Sequence, residues 1–502
     1  FLIFHDIIIS YASCNTMANK LAQGLLGLGV KKNDRVALMA PNIPQYVIAL
    51  MACFKIGAIA VPTNPLYTVP EITHQFTDSG SETVIVMAAF ADKVVQVMQQ
   101  ESSIVKRTVV AQVPGKQIEL PDSENVFDFD ELIAGAENVD PDIKVSPEDI
   151  AMLQYTGGTT GSPKGCMLSN FNLVAMAAQD SAWYSPMVAL SEIRTLAAVP
   201  LYHIYGYNLN VNLALYVAGS VVLVAQPSVD NLLAAINQHK PTCFNAVPAM
   251  IIGLNQHPDT PQSKIKEIRG MVCGSAPLPV EAFKRFEELS GARIVEGYGM
   301  SETSNIVTGN PAYTRRKIGS VGVPFPDVDI RIVDLEDGTT EMPMGEKGEL
   351  ICRGPQLMSG YWENPEETAD SLRDGWLYTG DIAYMDEDGF IFIVDRKKDM
   401  LICSGFNVYP RDIDEVMFTH PKVIEACTIG VPDPKRGETV KVFVVLKPGE
   451  SMTEQEVIDY CKERLAGYKV PKLVEFIDEL PRTSVGKADR KALREWEKSR
   501  MK

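Results

Sequence analysis

The chain has 502 residues, enough for more than one domain, and is 46% hydrophobic and 22% charged, the balance of an ordinary globular protein. Its 47 Lys and Arg stand against 64 Asp and Glu, a net charge of −17, which excludes a nucleic-acid partner and requires any anionic ligand to be met by a local pocket. Nine cysteines are scattered without a C-x-x-C pair, so neither a zinc site nor a disulfide framework is expected, and a reducing compartment fits.

In chain order, "FLIFHDIIIS" is apolar but has no basic segment, and Asp6 interrupts it, so it does not read as a secretion signal. Ala18, Leu21, Leu25 and Leu28 recur at helical spacing up to Gly29. "DRVALMAP" reads as a buried strand, "IPQYVIALMACFKIG" as a helix, and "AIAVP", "ETVIVM" and "RTVVAQV" as further strands. The same alternation returns from about Leu196 to Ile294, so this part is expected to be α/β with mostly parallel sheets in stacked subdomains. From about Ile318, "DVDIRIVD", "GELICRG" and "GFIFIVD" are separated by Asp-Gly turns, which predicts an antiparallel, barrel-like piece. A charged joint, "DRKKD", follows, then a small α+β segment with a helix from Pro410 and a capping box at Thr453 and Glu456. The expected division is a large domain of 1–397 and a small one of 398–502, with the boundary near Lys398. The apolar runs "YVIALMACF" and "LNVNLALYVAGSVVLVA" are broken before the ~18 residues of a membrane span, so no integral span is expected.

"YTGGTTGSPKG", Tyr155–Gly165, follows the apolar strand "DIAMLQYT". A loop of glycines and hydroxyls with one lysine can grip phosphate through inward-pointing N–H groups. The spacing of the common P-loop is absent, because Lys164 follows Gly161 by three residues and precedes a glycine. The residues alone leave two readings, a phosphate grip or a flexible surface loop.

Five more stretches occur in order: "GSAPL" (274–278), "GYGMSE" (297–302), "YTGD" (378–381), "DRKKDMLICSGFNVYP" (395–410) and "PRTSVGKADR" (481–490). Together with the glycine-rich loop they resemble the signatures of the adenylate-forming, AMP-binding superfamily, and they most resemble bacterial long-chain fatty-acid–CoA ligases. The resemblance covers essentially the whole chain. It implies that a carboxylate attacks the α-phosphorus of ATP to give acyl-adenylate and pyrophosphate, after which the thiol of CoA displaces AMP.

The resemblance also assigns roles. Thr156, Gly157, Gly158, Thr159, Thr160, Gly161 and Lys164 would cradle the β- and γ-phosphates, and Glu302 would hold Mg²⁺. Ser275, Ala276, Pro277, Gly297, Tyr298 and Gly299 would line the adenine, and Asp381 and Arg396 would meet the ribose. Lys487 would stabilise charge at the α-phosphate, His203 would position the acyl group beside Tyr205 and Tyr207, and Ser404, Gly405 and Phe406 would face the CoA channel. Thr156, Glu302 and Lys487 are the expected catalytic residues. Each has a bland counterpart: a solvated glutamate or lysine, a core tyrosine, a turn aspartate.

The stretch "HIYGYNLNVNLALY" contains no acid to pair an amino-acid ammonium, and Leu209, Val211 and Leu213 favour an apolar tail, so a medium- to long-chain fatty acid is expected. An aryl acid of the coumarate type is the nearest rival. A luciferase-like oxidase, a carrier-loading enzyme and a non-enzymatic acyl sensor are further alternatives, the last opposed by the presence of Lys164, Glu302 and Lys487. The expected setting is cytoplasmic, as a monomer or homodimer, with contact at the inner face of a membrane left open.

Overall fold

The computed structural model describes residues 1–112, 119, 125–156, 163–275, 278–403, 406–433, 437–483 and 488–500. The chain divides into two compact units, one of Phe1–Thr156, Pro163–Asp329 and Arg353–Gly375, the other chiefly of Ile330–Cys352 and Trp376–Lys502.

The first unit is built on two sheets. One has seven strands in the order Val126–Asp128, Arg107–Ala111, Ser81–Met87, Arg35–Met39, Ile59–Pro62, Ile150–Thr156, Lys164–Ser169. All neighbours are parallel except the last pair, an antiparallel hairpin. Helices cover its strands, which explains why "VALM" and "TVIVM" are unbroken apolar runs rather than alternating ones. Helix ends follow local chemistry. Thr68 and Glu71 form a capping box for Val69–Ser79, Gly80 ends that helix at φ +69°, and the Arg35 guanidinium donates to the freed carbonyls of Ser79 at 2.9 Å and Gly80 at 3.1 Å.

The second sheet carries the parallel strands Arg293–Tyr298, Gly270–Cys273, Cys243–Ala246, Arg194–Ala197 and Ser220–Leu223 side by side. Leu2–Phe4 continues it in parallel and Ile7–Ile9 closes that edge antiparallel. The opening apolar stretch is therefore two sheet strands. A core of Leu196, Phe244, Met271, Phe283, Phe286 and Ile294 lies beneath. Between two of its strands runs a π-helical turn, Tyr207–Asn212, with three asparagines at alternate positions.

In the second unit, Gly348–Arg353, Trp376–Met385 and Ile391–Arg396 form the expected antiparallel piece. The C-terminal part wraps three helices about a second sheet centred on Val423–Asp433 and Gly437–Leu446. Both faces of Gly437–Leu446 are covered: Val440, Val442 and Val444 join the core with Ile413, Met417 and Val457, while Phe443 and Val445 face Leu480 and Leu493. Pro410 opens one helix, and Thr453 with Glu456 caps another, as their positions predict. All nine cysteines are buried, and among the described residues no helix is long and apolar enough to cross a membrane.

Candidate active site

Thr156 ends one strand of the hairpin and Lys164 begins the other, and the two are direct antiparallel partners. The hairpin thus fixes the two ends of the glycine-rich loop side by side. Gly157, Gly158, Thr159, Thr160 and Gly161 lie outside the described residues. The Lys164 ammonium pairs with Glu367 and sits 5.3 Å from the ring centroid of Tyr361.

Glu302 stands in the short turn Ser301–Thr303, half-buried, and accepts a 2.9 Å hydrogen bond from the Tyr361 hydroxyl. Tyr361 is itself fixed by backbone bonds. Trp362 N donates to Gly165 O at 2.8 Å, Met167 N to Gly360 O at 2.9 Å, and Met358 N to Glu302 O at 2.8 Å. Burial, reinforced by the Glu302 charge, holds the Tyr361 phenol far above its ordinary range, so it remains a donor. Tyr361 and Glu367 were not expected from the sequence; nothing in "SGYWENPEET" marks them beyond the helix start at Asn364-Pro365.

The nucleotide and acyl stretches meet at the carboxyl ends of the second sheet's parallel strands, the edge where ligands bind in open α/β sheets. Ser275 follows Gly270–Cys273, Gly297 and Tyr298 end the adjacent strand, and His203 follows Arg194–Ala197 two strands away. Ser275 adopts φ +71°, a conformation few non-glycine residues take. At Gly299 a Cβ would stand 1.6 Å from Asn305 O, so no other residue fits that turn. Ala276 and Pro277 lie outside the described residues.

His203 caps its short helix, its Nδ1 accepting from Tyr205 N at 3.2 Å, which puts the proton of the neutral ring on Nε2. Tyr205 is buried and donates to Ala246 O at 2.9 Å and Val272 O at 3.2 Å. The bond to Val272 O ties the acyl stretch to the strand that leads directly into "GSAPL". Tyr207 is buried as well, and burial raises both phenols.

In the second unit, Asp381 and Arg396 face each other across paired strands and form a 3.0 Å ion pair, with Asp381 buried and Arg396 half-exposed. They adjoin a cleft of about 310 Å³ lined by Thr379, Gly380, Arg396, Lys397 and Lys398. Lys398 is exposed, between the buried Asp395 and Asp399. Both acids are tied to the last helix: Arg494 pairs with Asp399 at 2.8 Å, and Arg490 lies 3.7 Å from Asp395 while bonding Asp414 at 2.6 Å. This acid–arginine cluster was also not read from the sequence. Ser404, Gly405 and Lys487 lie outside the described residues, as does the side chain of Phe406, whose backbone pairs with Cys403.

Among the described residues no group of three or more His, Cys, Asp or Glu could hold a metal. A single carboxylate such as Glu302, acting together with substrate phosphates, is a donor set that suits Mg²⁺ and would not suit a metal needing an all-protein cage.

Residues 1–362 match the AMP-binding enzyme family, and residues 412–487 match the AMP-binding enzyme C-terminal domain. A long-chain-fatty-acid–CoA ligase of Bacillus subtilis (strain 168) is 41% identical over 515 aligned residues, covering 99% of this chain and 90% of that protein. ATP-bound MatB from Rhodopseudomonas palustris superposes with a TM-score of 0.91 at 30% identity, covering 100% of this chain and 96% of that one. An o-succinylbenzoate CoA synthetase (MenE) from Bacillus subtilis, in complex with ATP and magnesium ion, gives 0.84 at 30% identity, covering 98% and 96%.

Proposed function

The chain belongs to the AMP-binding enzyme family and is an ATP-dependent acyl-CoA synthetase, an AMP-forming acid–thiol ligase, and from that premise we propose that its acid is a medium- to long-chain fatty acid. The observation that carries the proposal is the hydrogen bond from Tyr205 to Val272 O, which brings an acid-free acyl stretch against the strand leading into the nucleotide stretch on one sheet edge. An in-line attack needs that adjacency. The carboxylate oxygen bonds to the α-phosphorus and the bond to the bridging oxygen breaks, releasing pyrophosphate; the CoA thiol then attacks the acyl carbon, losing its proton, and AMP leaves.

In this reading Thr156, Gly157, Gly158, Thr159, Thr160, Gly161 and Lys164 hold the β- and γ-phosphates, Lys164 leaving Glu367 to do so. Lys487 supplies positive charge at the α-phosphate. Ser275, Ala276, Pro277, Gly297, Tyr298 and Gly299 line the adenine, while Asp381 and Arg396 take the ribose. Glu302, oriented by Tyr361, would hold Mg²⁺, which neutralises phosphate charge when bound. His203, Tyr205 and Tyr207 position the acyl group. The carboxylate is already ionised at pH 7, so His203 acts by placement rather than as a base. Residues 398–502 form a mobile domain pivoting at Lys398, and Ser404, Gly405 and Phe406 border the thiol's approach. The setting is cytoplasmic.

The experiment is pyrophosphate release over acids from acetate to hexadecanoate, with and without CoA. Turnover should rise with chain length, since each buried CH₂ is worth about 0.8 kcal/mol. A preference for acetate overturns the fatty-acid reading. As a control on the role of Lys487, Lys487→Ala should lower adenylation by several orders of magnitude yet spare thioester formation from supplied acyl-adenylate.

A further inference from the structure

The strand Gly348–Arg353 is buried along Gly348, Leu350, Ile351 and Cys352, and within that apolar run stands an acid, Glu349, itself 5% exposed. A carboxylate taken out of water must be given partners. Glu349 has two. Its Oε1 accepts from Gly380 N at 3.1 Å, and its Oε2 accepts from the Lys397 ammonium at 2.8 Å. One oxygen thus holds the neighbouring strand Trp376–Met385, and the other holds the residue just past Ile391–Arg396.

These two partners flank the pair read as the ribose site. Gly380 immediately precedes Asp381, and Lys397 immediately follows Arg396. Asp381 and Arg396 are the last residues that the two strands pair, and the end of a ladder is where it opens first. Past that end, Lys397 N donates to Gly380 O at 2.8 Å, so the residues that Glu349 grips also hold each other. On the other side of Gly380, Thr379 Oγ1 donates to Leu350 O at 2.7 Å and accepts from Asp381 N at 3.1 Å. Gly380, Arg396 and Lys397 line the cleft of about 310 Å³, and Glu349 is not among its lining residues. Its carboxylate therefore acts on a ligand in that cleft only through the residues it holds.

We propose that Glu349 is a positioning residue for nucleotide binding: by gripping Gly380 and Lys397 together it fixes Asp381 and Arg396 where they meet the two ribose hydroxyls. This rests on the reading of Asp381 and Arg396 as the ribose site. A carboxylate that accepts from two neighbouring hydroxyls must be placed to within about 0.5 Å, and that precision comes from the residues that hold it. The ion pair of Asp381 with the half-exposed Arg396 stands at a strand end, and Glu349 supplies the buried anchor behind it.

The test compares kcat/KM in pyrophosphate release for ATP and for 2′,3′-dideoxyATP, with the acid of highest turnover held saturating. The wild-type enzyme should favour ATP by about a hundredfold, as two hydrogen bonds to a carboxylate would give. Asp381→Ala should bring that ratio close to one. Glu349→Ala should lower it about tenfold. Glu349→Gln, whose amide oxygen still accepts from Gly380 N while the half-exposed Lys397 turns to water, should hold it within about threefold. Thermal unfolding of each variant monitors folding, and a ratio within one preparation does not depend on the folded fraction. If Asp381→Ala collapses the ratio but Glu349→Ala leaves it unchanged, or if Glu349→Gln falls as far as Glu349→Ala, the proposal is overturned and the ribose reading stands. A wild-type enzyme indifferent to the two hydroxyls, or an Asp381→Ala ratio equal to the wild type's, would overturn both.

Discussion

Glu302 shows how a single residue acquires its chemistry from neighbours remote in sequence. Its carboxylate accepts from Tyr361, 59 residues away, and Tyr361 is held by the same backbone bonds that fasten the strand beginning at Lys164. A hydrogen bond to a charged group contributes roughly 1.5–3 kcal/mol. If that bond orients Glu302 toward Mg²⁺, Tyr361→Phe should raise the Mg²⁺ concentration for half-maximal pyrophosphate release by about threefold to tenfold, with little change in melting temperature. An unchanged Mg²⁺ titration would show that the hydroxyl serves only packing.

Two elements of the small sheet's surround, the helices Pro410–Phe418 and Arg490–Arg500, are joined by Asp414 and Arg490. Desolvation raises the Asp414 carboxyl to about 6 although Arg490 beside it pulls the other way. Desolvation pulls the Arg490 guanidinium down, but the charges of Asp414, Asp395 and Asp399 outweigh it and push it upward, so Arg490 stays charged throughout. A carboxyl raised above its unfolded value of about 3.9 binds more protons folded than unfolded between those pH values. Its contribution is therefore full below about 3.9 and is lost as pH rises through about 6. Asp414→Asn removes the titration. The difference in unfolding free energy, wild type minus variant, should fall between pH 4 and pH 6 and level off above, as read from urea midpoints at constant slope. A difference that is flat or rises over that range refutes the assignment.

For the whole molecule, the consequence to test is that two attacks must use one small site in turn. The pivot proposed at Lys398 is an exposed position between two buried acids, each set near an arginine of the helix that follows Lys487. Proline fixes φ near −65° and restricts Lys397 before it, so the backbone there would lose the freedom to rotate. Lys398→Pro should leave adenylation within about tenfold and lower transfer to CoA at least about a hundredfold. Single-turnover rates of the two half-reactions decide the matter, and equal effects on both would mean that Lys398 is an ordinary solvated lysine.

By itself the sequence determined the elements and the reaction class, because both are encoded in short windows. Unbroken runs such as "VALM" mark covered strands, Thr453 and Glu456 cap a helix, and six local signatures in order identify the adenylate-forming chemistry. What only the tertiary structure decided is which side chains meet. The pairing of Tyr361 with Glu302 and of Glu367 with Lys164 joins segments with no spacing rule between them. The Arg490 cluster draws three acids from two separate segments, Asp395 and Asp399 from the charged joint and Asp414 from the helix after it. Glu349 differs from any other strand glutamate only in what surrounds it, and a group's partners are a property of the packed interior rather than of the chain order.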